Sequence, residues 1–272
     1  MKPSRFPLVV TWAVLIFFYL PIVVLVVQSF NSARFGGGWE STSLKWYRQL
    51  LKEPSIWDAL MNTLIIATTA TAASMVLGTS AAFALHRYGK SLLQRLHFSL
   101  IYTPLVLPEI LMGLSMLLFF VAINVELGLG TIFVAHVTFC LSYVAMTVLA
   151  RLQDFDFSVI EAAQDLGAGW WTTLWKVLVP ILAPGILAGG LLAFTLSIDD
   201  FVISFFVAGP GSTTLPIKIY SMIKYGSPPL INALSTLLLL VTFASVAASQ
   251  HLARKGEPRR DPSRARITMA QP

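Results

Sequence analysis

Three carboxylates lie within long apolar runs of this sequence, namely Glu109, Asp199 and Asp200. A charged side chain is costly in hydrocarbon, so each is expected to face a helix-bundle interior or water. Pro104 and Pro108 precede Glu109 four residues apart, which predicts a kinked helix with freed backbone carbonyl oxygens. Carbonyl and carboxylate oxygens together suit an ammonium group. These residues therefore predict the lining of a pathway for a cation.

A second interpretation of the same acids is structural. They can cap helices or pair with Lys218, Lys224 or a partner subunit, and the sequence leaves both interpretations open. The aromatic residue after the acids, Phe201, can contact an alkyl chain or simply pack against its neighbours. His136 is expected to hydrogen-bond between helices rather than to bind a ligand.

Signs of catalysis are missing from the sequence. The run Gly89-Lys90-Ser91 resembles the end of a phosphate loop, but Ala84 stands where that loop requires glycine. A zinc-protease motif and a nucleophile elbow are absent. The single cysteine, Cys140, provides neither a disulfide framework nor a cysteine metal site. We therefore predict no enzyme activity, no catalytic residue, no metal and no cofactor on this chain.

Composition predicts a membrane protein made of helices. The chain has 272 residues, 56% of them apolar and only 12% charged, and its mean hydropathy is +0.74. A soluble domain carries about twice that charged fraction. Apolar runs of spanning length recur. They predict six spans at about 8–27, 59–85, 98–123, 132–149, 181–201 and 231–249, and the first is too long for a signal-peptide core.

The net charge of +6 arises mainly beside the predicted spans. Placing both termini inside collects most Lys and Arg on the cytoplasmic side, as the positive-inside rule requires. A basic tail directly after a span is typical of a flank beside anionic lipid, so we expect lipid contact and no nucleic-acid binding. The same orientation places the polar loop 151–179 in the cytoplasm. Asp199 and Asp200 then lie about 28 Å along a helix from Pro180, near the periplasmic end.

The cytoplasmic loop contains a helix-favouring run that begins at Glu161 and ends at Gly167. A second short helix is predicted over 170–176, with one apolar face. That face consists of Trp171, Leu174, Trp175 and Leu178. It can lie on the membrane surface or fit a groove on a partner protein.

The loop resembles the EAA loop of binding-protein-dependent ABC transporter permeases, usually written E-A-A-x3-G-x9-I-x-L-P. Here Glu161, Ala162, Ala163, Gly167 and Pro180 match the motif, while valine replaces its isoleucine and leucine. In that family the loop docks in a groove of a cytoplasmic ATPase subunit. The resemblance implies that this chain couples to the ATPase through Glu161, Ala162, Ala163, Asp165, Leu166, Gly167, Trp171, Leu174 and Trp175.

Further runs resemble the polyamine branch of that family, and together they cover most of the chain. They are FNS at 30–32, TPLVLPE at 103–109, TLSIDD at 195–200, STTLP at 212–216 and INA at 231–233. The resemblance implies a substrate pathway that includes Glu109, Asp199, Asp200 and Phe201. It also implies a second permease subunit, two ATPase subunits that hold ATP and Mg²⁺, and a periplasmic binding protein.

We therefore expect an all-α integral membrane protein with six transmembrane helices. Its fold should be the type I importer permease (MetI-like) bundle with cytoplasmic coupling helices. One permease domain is predicted over 1–272, with a core at about 58–250, an extra span at 8–27 and a basic cytoplasmic tail at 251–272. The predicted function is inner-membrane import of putrescine or spermidine. The alternatives are another solute, such as ferric iron, sulfate or an amino acid, or a secondary carrier or channel.

Overall fold

The computed structural model describes residues 6–34, 38–87, 92–153, 155–226 and 228–256. Lys2, Arg5, Lys90, the Gly89-Lys90-Ser91 run and tail residues 257–272 lie outside this range. The described part is helical apart from its connecting loops and one isolated bridge between Asn31 and Thr42. The helices are α1 (Phe6–Gln28), α2 (Lys45–Leu51), α3 (Pro54–Arg87), α4 (Leu92–Val106), α5 (Glu109–Ala122), α6 (Leu129–Gln153), α7 (Ser158–Asp165), α8 (Trp170–Thr173), α9 (Val179–Asp199), α10 (Val202–Val207), α11 (Leu215–Lys224) and α12 (Pro228–Gly256).

One compact unit consists of α1, α2 and α12. Within it, α12 packs against both α1 and α2. None of the 23 residues of α1 is buried, although the helix is apolar on every side. A helix of that composition is stable in lipid rather than in water. The loop between α1 and α2 is fixed by Trp46, whose indole Nε1 donates to the Asn31 carbonyl oxygen at 2.8 Å.

The other compact unit comprises α3 to α11, and its centre is formed by α3, α6 and α9. Small residues allow these helices to approach closely, as expected where lipid provides no hydrophobic drive for association. A Cβ at Gly78 of α3 would lie 2.8 Å from Val144 Cβ of α6, and one at Gly189 of α9 would lie 3.1 Å from Val144 Cα. The buried core follows this contact along α6 through Cys140, Val144 and Val148.

Four helices in the described residues are long and apolar enough to span a membrane, namely Phe6–Gln28, Pro54–His86, Leu129–Gln153 and Trp170–Asp199. The predicted span at 98–123 is divided between α4 and α5, which meet at a break with a bend of 114°. The break lies at Leu107 and Pro108, which confirms the kink predicted from the prolines. The last apolar helix is the shorter Pro229–Ala244. The count of six spans therefore stays a prediction. The division of the chain into a permease core, an extra N-terminal span and a basic tail also stays a prediction.

The close approach at Gly78 gives a stability prediction. Gly78→Ala places a methyl group 3.0 Å from the Leu141 carbonyl oxygen as well as against Val144, and a backbone atom cannot move aside cheaply. Overpacking of this kind costs about 1–3 kcal/mol. The thermal unfolding temperature of the purified transporter should fall.

Gly130→Ala is the matched control, because a Cβ at Gly130 in the first turn of α6 meets nothing within 4 Å. It should leave the unfolding temperature unchanged or slightly higher. Equal unfolding temperatures for the two variants would contradict the assigned helix contact.

Candidate functional site

The loop at 151–179 contains two helices joined by a turn that depends on Gly167. This residue has a φ of 85°, a conformation that glycine adopts without steric cost. The Ala168 N–H donates to the Ala163 carbonyl at 3.0 Å, and the Gly167 N–H donates to the Gln164 carbonyl at 2.8 Å. This pair of bonds is the Schellman motif that ends a helix. Gly167 therefore fixes the angle at which the chain leaves α7.

Aromatic contacts attach the loop to the helix bundle. The Phe157 ring stacks on the His86 imidazole with centroids 4.9 Å apart and an interplanar angle of 7°. Ile160 of α7 is buried in the main core. Just before α7, the Asp156 carboxylate accepts from the Ser158 N–H at 2.9 Å, and this bond holds the pKa of Asp156 below its usual range. The segment at the start of α7 is thus in contact with the end of α3 and with the main core.

The three most exposed of the loop's large apolar side chains are Leu166 at 90%, Trp171 at 70% and Trp175 at 64%. We call them the exposed apolar set. The prediction that the whole apolar face is exposed is wrong, because Leu174 is half-buried and Leu178 is buried. Both leucines pack in or against the main core, whereas the two tryptophans stay exposed. Of the other predicted coupling residues, Glu161, Ala162 and Asp165 are exposed and Ala163 is half-buried.

The predicted separate helix over 170–176 is also wrong, because helical structure runs without interruption from Trp170 to Asp199. A π-helical turn over Leu174–Leu178 joins α8 to α9. Pro180 lacks the N–H that would bond to the Lys176 carbonyl, and its ring crowds that carbonyl. A wider turn just before the proline accommodates both effects. The loop's second helix is therefore continuous with a membrane-spanning one.

The predicted pathway residues occupy two places. Glu109 is the first residue of α5, directly after the break at Pro108, and it is exposed. Asp199, Asp200 and Phe201 lie together where α9 ends and α10 begins. Asp199 is exposed and Phe201 is half-buried, whereas the Asp200 side chain is only 5% exposed. The described hydrogen bonds and ion pairs do not join Glu109 to this elbow at 199–201.

Asp200 is held in a buried polar network that the sequence did not predict as a unit. Its Oδ2 accepts from the Ser204 N–H and Oγ–H, both at 2.8 Å, and lies 3.1 Å from His136 Nε2. Its Oδ1 accepts from the Ile203 N–H at 3.2 Å. His136 Nδ1 lies 2.7 Å from Ser197 Oγ. The prediction that His136 hydrogen-bonds between helices is confirmed. Asp200 caps a helix, as the structural interpretation of these acids predicted.

An aromatic cluster adjoins the elbow. The Phe201 ring lies 4.8 Å from the Tyr220 ring and 5.3 Å from the Phe205 ring, measured between centroids. Phe205 and Tyr220 are both exposed. Sequence reasoning missed Tyr220, which reaches the elbow because the Leu215 N–H at the start of α11 donates to Thr63 Oγ1 of α3 at 2.7 Å. That bond joins residues 152 positions apart.

The arrangement can guide a cation but offers nothing for covalent chemistry. Among the described residues, no group of three or more His, Cys, Asp and Glu side chains could hold a metal ion. An exposed carboxylate at Asp199 and exposed aromatic rings that adjoin the same elbow are groups that an alkyl ammonium ion contacts favourably. The remaining polar groups at the elbow are engaged in holding the backbone.

Solved structures with this fold are ABC transporters. A bacterial ABC transporter involved in the import of the acidic polysaccharide alginate aligns with a TM-score of 0.70 and 16% identity, covering 92% of this chain and 98% of that chain. The inward-facing MetNI methionine ABC transporter aligns with a TM-score of 0.60 and 20% identity, covering 76% and 99%. The fold is thus that of the permease subunits of ABC importers, as predicted.

The family follows from sequence comparison. The family model for the binding-protein-dependent transport system inner membrane component matches residues 74–255. The chain is 40% identical over 245 residues to the spermidine/putrescine transport system permease protein PotC of Escherichia coli (strain K12), covering 89% of this chain and 91% of that protein. It is 43% identical over 229 residues to the putrescine transport system permease protein PotI of the same strain, covering 82% of each.

The chain belongs to the family of binding-protein-dependent transport system inner membrane components. It is a multi-pass inner-membrane permease subunit, so the predictions of a transport subunit and of its family are confirmed. The predicted coupling and pathway residues stay predictions.

Proposed function

We propose that this chain forms half of an ATP-driven import pathway for a polyamine, putrescine first and spermidine second. The observation that carries the proposal is the identity of about two residues in five with permeases of putrescine and spermidine transport systems, over most of both chains. The exposed Asp199 carboxylate beside exposed aromatic rings supports a cationic solute with an alkyl chain. Carboxylates on this surface do not favour an anion such as sulfate.

The pathway we propose contains Glu109, Asp199 and Phe201, with Phe205 and Tyr220 added from the aromatic cluster. Carboxylates attract the terminal ammonium groups, since opposite charges attract strongly where water is scarce. Ring faces stabilise an ammonium group and cover the methylene chain. The α4–α5 break adds carbonyl oxygens that the two prolines leave without helix partners. Asp200 acts indirectly, since its carboxylate is engaged within the protein.

Coupling to ATP is proposed to occur through the exposed apolar set. Three large apolar side chains on a cytoplasmic helix pair need a groove to cover them. The proposed partner is one of two ATPase subunits, which hold ATP and Mg²⁺, and a second permease subunit completes the pathway. Closure of the ATPase dimer would push α7 and α8, and the uninterrupted helix from Trp170 to Asp199 would carry that movement to the elbow.

The proposed topology has six spans with both termini in the cytoplasm, counting the bent α4–α5 pair as one span and α12 as the last. Positive charge on the cytoplasmic side supports this orientation. A periplasmic binding protein delivers the solute at the opposite face.

Uptake into proteoliposomes that contain the complete transporter tests the solute. Radiolabelled putrescine or spermidine should be taken up when the binding protein is outside and ATP is inside. Excess unlabelled polyamine should compete for uptake, whereas neutral amino acids, sulfate and ferric iron should not. Competition by one of those solutes, with no polyamine uptake, would overturn the polyamine assignment while leaving the family assignment intact.

A further inference from the structure

The buried network around Asp200 joins three helices at the point where α9 breaks. His136 comes from α6, Ser197 from α9 and Ser204 from α10. All three residues are at most 3% exposed. Water therefore cannot easily replace a lost partner in this network, and each hydrogen bond constrains the helices strongly.

The chemistry of each group determines which atom donates and which accepts in the network. The ionised Asp200 carboxylate can only accept, so the His136 Nε2–H donates to its Oδ2 at 3.1 Å and is shared with Ser204 Oγ at 2.9 Å. His136 Nδ1 then accepts from the Ser197 hydroxyl. Asp200 also accepts the two backbone N–H groups that begin α10, from Ile203 and Ser204. The imidazole is thus a bridge from α6 to the carboxylate that caps α10.

The opposite side of α10 is fixed by close packing. A Cβ at Gly113 of α5 would lie 2.8 Å from the Phe206 ring and 3.3 Å from Ile203 Cα. The short helix is therefore held between the α6 bridge and α5. Since α10 begins directly after the elbow at 199–201, its position determines where Phe201 and Phe205 lie relative to Asp199 at the end of α9.

We propose that His136 is a positioning residue for the solute pathway. Through Asp200 it holds α10 and the elbow so that Asp199 and the rings of Phe201 and Phe205 face the solute. The two adjacent acids thus have different roles: Asp199 meets the cation, and Asp200 is part of the buried bridge. The effect of His136 on transport rests on the proposed function, whereas its effect on the position of α10 does not.

A single-cysteine reporter measures the position of α10 directly. Cys140 is the only native cysteine of this chain and is fully buried, so a thiol introduced by Phe205→Cys is the accessible one on this chain. The probe is a water-soluble cationic methanethiosulfonate reagent, applied to the assembled transporter in proteoliposomes. The rate of its reaction is compared in backgrounds carrying native His136, His136→Leu or His136→Gln. Polyamine uptake is measured for the same His136 variants without the reporter.

His136→Leu removes the bridge and should change the thiol reaction rate by about tenfold, the shift expected when a buried hydrogen bond to a charged group is lost. Uptake should fall as well, with a normal amount of assembled transporter. His136→Gln retains an amide donor for Asp200. It should restore most of the native thiol reaction rate and most of the native uptake. Leucine also fills the space but cannot donate to Asp200. Recovery with glutamine therefore shows that the hydrogen bond, and not side-chain volume alone, positions α10.

A milder variant covers the case in which His136→Leu prevents assembly. Ser204→Ala removes one donor to Asp200 and should shift the thiol rate in the same direction by a smaller factor. Unchanged thiol rates in both His136→Leu and Ser204→Ala would overturn the proposal, as would no recovery with His136→Gln. If the native transporter imports no polyamine, the proposed solute fails, but the thiol rates still decide the role of His136.

Discussion

Replacing Gly167 by valine should lower solute uptake by about tenfold or more while the helix bundle still assembles. Gly167 has a φ of 85°, and an L-residue in the left-handed region pays about 1–2 kcal/mol, with more for a β-branched side chain. A Cβ added at Gly167 meets nothing within 4 Å, so we attribute the effect to backbone strain. The turn between α7 and α8 would relax to another angle. The exposed apolar set would then no longer match a rigid partner groove.

Gly169→Ala is the matched control for this prediction. Gly169 lies two residues away in the same turn, also has open space around it, and has an ordinary φ of −68°. It should retain uptake close to that of the native protein. ATP-dependent uptake and the amount of co-purified ATPase are the two measurements. Equal uptake by Gly167→Val and Gly169→Ala would show that coupling does not depend on the geometry of this turn.

Asp199→Asn should lower polyamine uptake by about tenfold without changing the amount or the thermal stability of the assembled transporter. Asp199 is exposed at the end of α9, so an amide of the same shape removes charge and leaves the fold intact. The charge-assisted bond to an ammonium group is about twice as strong as a neutral one. The loss should therefore appear in transport and not in unfolding.

Asp200→Asn provides the contrast at the neighbouring position. Its Oδ2 accepts three donors, and an amide nitrogen there would face the Ser204 N–H instead of accepting from it. Leaving buried donors unpaired costs about 3 kcal/mol, so this variant should lower the unfolding temperature and the yield of transporter. Full stability in Asp200→Asn together with instability in Asp199→Asn would reverse the roles assigned here.

Local chemistry made part of this molecule predictable. Two prolines four residues apart predicted the break near Glu109, because proline removes helix donors whatever surrounds it. Gly167 marked the end of α7 because few other residues adopt its conformation. The apolar runs identified the membrane helices, since lipid requires long apolar segments.

Other features depended on tertiary structure. Helical spacing grouped Trp171 with Leu174, but packing against the bundle buries the leucine side and leaves the tryptophan exposed. Asp199 and Asp200 look equivalent in sequence, but in the fold Asp200 caps α10 and meets His136 of α6. Tyr220 joins the elbow through a bond between α11 and α3, which no local pattern reveals.

The most direct test of the whole account is putrescine uptake into proteoliposomes in which ATP and the ATPase subunit are varied independently. We expect uptake only when internal ATP, the ATPase, the partner permease and the external binding protein are all present. An ATPase subunit unable to hydrolyse ATP should reduce uptake to background. Uptake that persists without any ATPase subunit would contradict the account and identify a self-sufficient carrier or channel.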